Sequence, residues 1–193
     1  MLADMHELEL VPDWIRPICR KEFDQMVHAG IFDGSDEHVE LLAGMLVTMS
    51  PHDPAPSRVV EWLTQRIILS TQGRYRVRCQ LPFAASEWSE PEPDVGVFSM
   101  EQPIEGDHPT ASLLLIEVSN TTLKHDRLKR IVYAAAGVPE YWIVRVEDMT
   151  AEVYTDPRSD GYASCQILRD GDVLRATTIP GLEIAVADLP RGR

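Results

Sequence analysis

Lysine, cysteine and long apolar runs are scarce in this chain. Lysine occurs three times in 193 residues, and 18 Lys+Arg face 31 Asp+Glu, for a formal net charge of −13. That balance argues against a general nucleic-acid coat protein, which needs a basic footprint. The deficit is uneven: residues 1–60 carry 11 acids and 4 bases, whereas 61–135 carry 10 and 8. A polyanionic partner is therefore disfavoured by the total but not by the middle of the chain. Cys19, Cys79 and Cys165 are odd in number and far apart, and no C-x-x-C pair exists. A zinc knuckle or dithiol redox pair is thus not expected; three buried thiols in a reducing compartment are. No stretch approaches the roughly 20 apolar residues that span a bilayer. The start, MLADMHELEL, carries acids where a secretory leader would carry bases. These absences lead us to expect a cytoplasmic protein with no membrane partner.

What remains is ordinary for a globular domain, with 44% apolar and 25% charged residues. The length fits one domain over residues 1–193, of which 1–15 form a ragged lead-in. Helical spacing of Ile18, Phe23, Met26 and Val27 predicts a helix that stops at Gly30. HVELLAGMLVTMSP predicts two strands joined at Ala43-Gly44. Val59, Val60, Leu63 and Ile67 form the stripe of a helix closed by Gly73. RYRVRCQLPF alternates Tyr75, Val77, Cys79 and Leu81 against Arg74, Arg76, Arg78 and Gln80, as a strand does. PDVGVFS is a shorter strand, and SLLLIEVS has the apolar continuity of a central strand covered on both faces. KHDRLKRIVYAAAG is a helix ending at Gly137, and EYWIVRV another strand. The remainder suggests short β segments around a turn near Gly171, completing the same sheet. This order predicts an α/β fold of the mixed α+β kind.

The chemistry lies in spaced acids with a lysine nearby. Asp94 follows Pro93 at a strand start. Glu117 sits inside the most apolar strand, where a carboxylate is costly unless paired, hydrogen-bonded or metal-bound. Ser119, two residues on, shares its sheet face. Lys129 lies on the helix that follows and can be laid back over that strand end. Two carboxylates suit Mg2+ or Mn2+, and a lysine beside them would orient or deprotonate a water or offset developing charge. The plainer alternative is that Glu117 pairs with Lys129 or Arg130 while Asp94 caps a turn.

The run PEPDVGVF followed by LLLIEVSNTTLKHDRLKRIVYAAAGVPEYWIV resembles the Uma-two family of the PD-(D/E)XK, restriction-endonuclease-like superfamily. FDQMVHAGIFDGSDEHVELLAGMLVTMSP is similar to that family's helix and Glu-Leu-x-x-Gly hairpin. The resemblance runs from about residue 16 to 190, and the Gly-Val-Pro-Glu-Tyr-Trp run makes it specific. It implies a restriction-endonuclease-like core with an N-terminal helix and hairpin and a C-terminal β extension. It also implies a metal-dependent endonuclease that hydrolyses DNA phosphodiester bonds. On that resemblance Asp94 and Glu117 are metal ligands for Mg2+ or Mn2+, and Glu40 is an extra ligand or helper. Ser119 stands where the motif lysine would be, and Lys129 replaces it from the following helix. The chain departs from the family in three places. Asp126 lies three rather than four residues before Lys129, Pro56 stands where relatives have His, and Arg145 stands where they have Asp or Asn.

Other residues give weaker signals. Lys124, His125, Arg127 and Arg130 cluster at the start of the second long helix, and Lys124, Arg127 and Arg130 are candidates for contacting nucleic acid. Arg74, Arg76 and Arg78 form a stripe that either tracks phosphates or is a solvated face. His28, His38, His52 and His108 have no metal-ligand spacing. Tyr133 is either core or a contact to Glu117 or a phosphate; Tyr141 and Trp142 pack the sheet or a subunit contact. A homodimer is expected if both strands of a duplex are cut. The competing hypothesis is a non-catalytic binding or assembly module that retains the fold, with the carboxylates in a structural ion-pair network.

Overall fold

The computed structural model describes residues 16–33, 38–49, 54–102 and 107–191; the expected lead-in and His52 lie outside them. The elements are α1 (Arg20–His28), β1 (His38–Leu42), β2 (Met45–Met49), α2 (Pro54–Thr71), β3 (Tyr75–Arg78), β4 (Val95–Ser99), β5 (Leu114–Ser119), α3 (Leu123–Ala135) and β6 (Glu140–Arg145). They continue with β7 (Thr150–Arg158), β8 (Gly161–Leu168), β9 (Val173–Arg175) and β10 (Glu183–Ala185). The architecture is a mixed α+β fold around a six-stranded sheet ordered β3-β4-β5-β6-β7-β8. Neighbours are antiparallel except β5 and β6, which are parallel. A parallel pair needs a crossover rather than a hairpin. Here α3 is that crossover, which lays it over the sheet beside β5.

Side-chain alternation along β5 sorts the molecule into two layers. Leu114, Ile116 and Val118 pack with Val59, Leu63 and Ile67 of α2 and with Trp142. Leu115 points the other way and joins Phe83, Phe98, Tyr133, Tyr141, Ile143 and Tyr154. All six β5 residues are buried, as a strand covered on both faces must be. Each fully buried Leu or Ile contributes about 1.5–3 kcal/mol, so the apolar layer can hold a carboxylate at position 117 that no free-standing strand would tolerate. Gly96 on β4 has a steric reason. A Cβ there would lie 2.5 Å from the Phe98 ring and 3.2 Å from Leu115, so glycine lets those side chains close over the sheet next to Asp94.

The β1–β2 hairpin is a separate two-stranded sheet. Ala43 (φ 50°) and Gly44 (φ 76°) make the left-handed two-residue turn such hairpins favour. It docks on residues 88–90 through Gly44 N–H to Trp88 O (2.7 Å), Ala43 N–H to Ser89 Oγ (2.9 Å) and Glu90 N–H to Leu41 O (2.7 Å). That docking carries Glu40 inward.

Glu90, at the docking seam, is 3% exposed, with Arg20 Nη1 and His108 Nε2 each 3.8 Å away. Burial, reinforced by Asp24, opposed by Arg20 and reinforced by Asp107 and Glu92, pushes its carboxyl up to about 7. An acid whose folded pKa is raised costs stability as pH climbs from its unfolded value toward the folded one. Glu90→Gln is therefore expected to be more stable than wild type above about pH 7, by on the order of 1–3 kcal/mol. That gap should narrow as pH falls below about 7 and close only below about 4.5, where both states of the wild type carry the proton. Denaturant melts of both proteins across that window check this; a gap independent of pH refutes it.

Several sequence expectations are corrected. The alternation through Leu81 stops at Arg78, because Gln80 takes φ 50°, and Leu81 is left 46% exposed. Cys165 is exposed and Cys19 and Cys79 are half-buried, so the thiols are not core residues. In α1 only Phe23 is buried, while Val27 is 49% exposed. The expected turn stands at Gly171, between β8 and β9, with Asp172 N–H bonding Arg169 O at 2.9 Å, but β9–β10 form a sheet of their own rather than an extension of the main one.

Candidate active site

Four segments converge on one buried carboxylate. Glu117 projects from β5 on the α3 side and is 4% exposed. Its Oε1 accepts from Lys129 Nζ at 3.0 Å and from the Tyr133 hydroxyl at 2.9 Å. Lys129 and Tyr133 are four residues apart on α3 and so share a helix face. Glu117 Oε2 accepts the backbone N–H of Asp94 at 3.3 Å. Asp94, at the entry to β4, is fixed through Oδ2 by the N–H of Val118 at 2.8 Å, while its Oδ1 takes Gln80 Nε2 at 3.3 Å. Glu40 arrives from the hairpin, 1% exposed, and its Oε2 lies 2.9 Å from Lys129 Nζ and accepts the Glu92 N–H at 3.1 Å. Its Oε1 meets His125 Nε2 at 2.9 Å. A continuous line of polar contacts thus runs from the half-buried His125 through Glu40 and Lys129 to Glu117.

The electrostatics follow from burial and from unequal charge. Burial alone would lower the Lys129 ammonium, but Glu117 and Glu40 outweigh it and hold the group above the ordinary lysine range. It is a cation and donor, not a base. Glu40 is pushed up by burial, yet Lys129 and the hydrogen bonds from His125, Lys129 and the Glu92 N–H bring it below the usual carboxylate range. Glu117 is pushed well above that range by burial; Lys129 opposes this, and Asp94, Asp126 and Glu40 add to it. Tyr133 is likewise raised, by burial and by Glu117, and stays a hydroxyl donor. Glu40, Asp94, Glu117 and Asp126 thus gather four carboxyl groups around one ammonium, an excess of acids whose ionisation burial opposes and a second cation would favour.

That excess fits a divalent cation. One oxygen of Glu117 and one of Asp94 are held by short bonds from protein donors. The other oxygen of each carries, among the described residues, a single long contact of 3.3 Å. No cage of three His, Cys, Asp or Glu side chains exists among the described residues. Mg2+ needs none, since it takes one or two carboxylates and keeps several waters.

The sequence candidates divide accordingly. Asp94, Glu117, Lys129 and Glu40 are brought together. Ser119 is buried on the same strand face, where its Oγ lies by Asp126 and favours its charged form, yet forms no hydrogen bond among the described residues. Asp126 stays on the inner face of α3 despite its shortened spacing, 5% exposed and bonded by the Thr122 hydroxyl at 2.7 Å. Lys124 is exposed, and Arg130 is exposed with its guanidinium 6.0 Å over the Tyr154 ring. Arg127 is turned onto the buried Glu152 carboxylate, which commits it to the fold. In the arginine stripe, Arg74 bonds Thr71 O at 3.0 Å, Arg76 bonds Gln102 O at 2.9 Å, and Arg78 lies over Phe98. Sequence reasoning missed the roles of His125 and Gln80. His125 had a signal, four residues before Lys129 on a helix; Gln80 had none, because an alternating strand placed it outside.

Three comparisons bear on this arrangement. A family model, Uma2, described as "Putative restriction endonuclease", matches residues 20–187. Among solved structures, the fold is similar to that of a protein from Anabaena variabilis described as a "putative nuclease belonging to DUF820". The two share 15% identity over 90% of this chain and 97% of that one, with a TM-score of 0.72. No curated protein sequence matches the chain.

Proposed function

The chain belongs to the Uma2 family, and from that premise we propose that it is a metal-dependent endonuclease hydrolysing DNA phosphodiester bonds at the Asp94–Glu117 site. The observation that carries this is the division of labour within each carboxylate: one oxygen pinned by protein donors, the other held by a single long contact.

Asp94 and Glu117 would hold Mg2+ or Mn2+, which when bound lowers the pKa of a coordinated water and polarises the scissile phosphate. The chain's own residues do the positioning. Lys129 and Tyr133 fix Glu117 Oε1, so the second oxygen keeps one orientation. Glu40 draws the same ammonium from the hairpin side and locks the hairpin to α3. Lys129, held as a cation, supplies positive charge near a phosphate but cannot take a proton from water. Exposed Lys124 and Arg130, on the helix that carries the lysine, are the cations available to a DNA backbone. With a net charge of −13, affinity should be low and fall steeply with salt. Two such sites, in a homodimer, would cut both strands.

The test is cleavage of plasmid and single-stranded DNA at low salt with Mg2+, Mn2+ or EDTA, beside Asp94→Ala prepared identically. Cutting that needs metal and is lost in the variant is the expected result. Cutting that survives in Asp94→Ala refutes the site. A protein that neither cuts nor gains thermal stability from Mn2+ is the non-catalytic module instead, since a ligand that binds only the folded state must stabilise it.

A further inference from the structure

Gln80 departs from the register of the strand that leads to it, beside the carboxylate pair. β3 pairs with β4 in a register that sets Arg78 opposite Gly96, which would place Gln80 opposite Asp94. The Gln80 N–H instead bonds Pro93 O at 3.1 Å, one residue out of register, and Gln80 takes φ 50°. This is a bulge-like dislocation whose left-handed position ordinarily goes to glycine, because any Cβ is crowded there. The register is regained at Phe83, whose N–H bonds Pro91 O at 2.9 Å and whose ring is fully buried. The dislocation re-aims one side chain: Gln80 Nε2 comes to 3.3 Å from Asp94 Oδ1, the oxygen that the Val118 N–H leaves free.

We infer that Gln80 is a positioning residue for the cation site, its strained backbone retained so that the carboxamide fixes the rotation of the Asp94 carboxylate. This rests on the nuclease reading above. Two donors on two different oxygens define the plane of a carboxylate, where one donor leaves it free to turn about the Cβ–Cγ bond. Strain of this kind persists where the surrounding structure over-determines it and is concentrated at functional sites. Bulges are likewise enriched beside them. Glycine would satisfy the backbone better but cannot supply the amide.

The experiment is Mn2+ binding by calorimetry and electron paramagnetic resonance, with melting curves, on wild type, Gln80→Gly, Gln80→Asn and Asp94→Asn. Asparagine tolerates the left-handed region but is one methylene too short to keep the contact. Both Gln80 variants should fold and weaken Mn2+ binding about 10–100-fold, the range for partners that orient a metal ligand. The control is Gln72→Gly, the same exchange at φ 55° at the end of α2. It should leave Mn2+ binding unchanged, which separates orientation of Asp94 from a general effect of backbone relief. If Gln80→Asn and Gln80→Gly bind Mn2+ as wild type does while Asp94→Asn does not, the inference falls and the site stands. If wild type binds no Mn2+, the nuclease reading falls and takes this inference with it.

Discussion

Glu117→Gln is expected to leave a folded protein that cleaves DNA about 10²–10³-fold more slowly, the loss typical when one preorganised charged or polar group is removed from a reacting centre. The exchange preserves volume and every packing contact of β5, so the apolar layer is untouched. The amide, however, cannot serve both of its neighbours. If its oxygen faces Lys129 and Tyr133, its NH2 points at the Asp94 N–H, donor against donor, and no anionic oxygen is left for a cation. If it is turned round, the NH2 faces an ammonium that now has Glu40 alone. Stability should change little, because the substitution removes one of four crowded carboxylates along with one partner of the lysine. Because Lys129 keeps Glu40, the change leaves no buried charge stranded, and the cost should stay within about 1–2 kcal/mol, below that of a buried pair broken from one side. Initial cleavage rates and melting curves on the same preparations decide it. A variant that cuts at the wild-type rate means that Glu117 serves the fold alone.

The sequence carries the site in a form that pattern reasoning can reach, and the limits of that reasoning are physical. Glu117 stands out because a carboxylate in LLLIEVS is unaffordable without partners, and Lys129 because a helix directly after that strand must cross back over it. Glu40 is different. Nothing local in HVELL ties it to a helix 85 residues away; the resemblance alone pointed to it, and the hairpin's docking on residues 88–90 is what brings it there. The strand RYRVRCQL shows where periodicity misleads. Its alternation is perfect through Leu81, but the chain breaks register at Gln80, and the penalty for a left-handed glutamine is invisible in a hydropathy pattern. The arginine stripe fails for a related reason. Alternation offers a face that either tracks phosphates or is solvated, yet Arg74 and Arg76 are bonded to backbone carbonyls and Arg78 lies on a ring. Spacing reports which way a side chain points, not what it meets.

Lys129→Met should cost far more stability than any other single change at the site, about 3–5 kcal/mol, the usual result of breaking a buried ion pair from one side. In a chain of this size that corresponds to a fall in Tm on the order of 10 °C. Methionine fills most of the volume and loses the charge, so the loss is electrostatic rather than a cavity. Glu40 and Glu117, 1% and 4% exposed, would face each other, Asp94 and Asp126 with no cation between them. The sign of the pH dependence separates this account from one in which Lys129 acts only during catalysis. Without the ammonium, the folded-state pKa of the carboxylates rises above the unfolded value, so the folded form is penalised as pH climbs past about 4.5 and relieved as it falls. The deficit relative to wild type should therefore be widest near about pH 8 and shrink by about pH 5. Adding Glu40→Gln to Lys129→Met should restore part of the loss, because the pair is in contact and its mutations are not additive. Mn2+ should stabilise the Lys129→Met protein more than the wild type, a divalent cation replacing the missing ammonium. A Lys129→Met protein that melts with the wild type at every pH would make the lysine a purely catalytic group and the four-carboxylate cluster far better solvated than its burial implies.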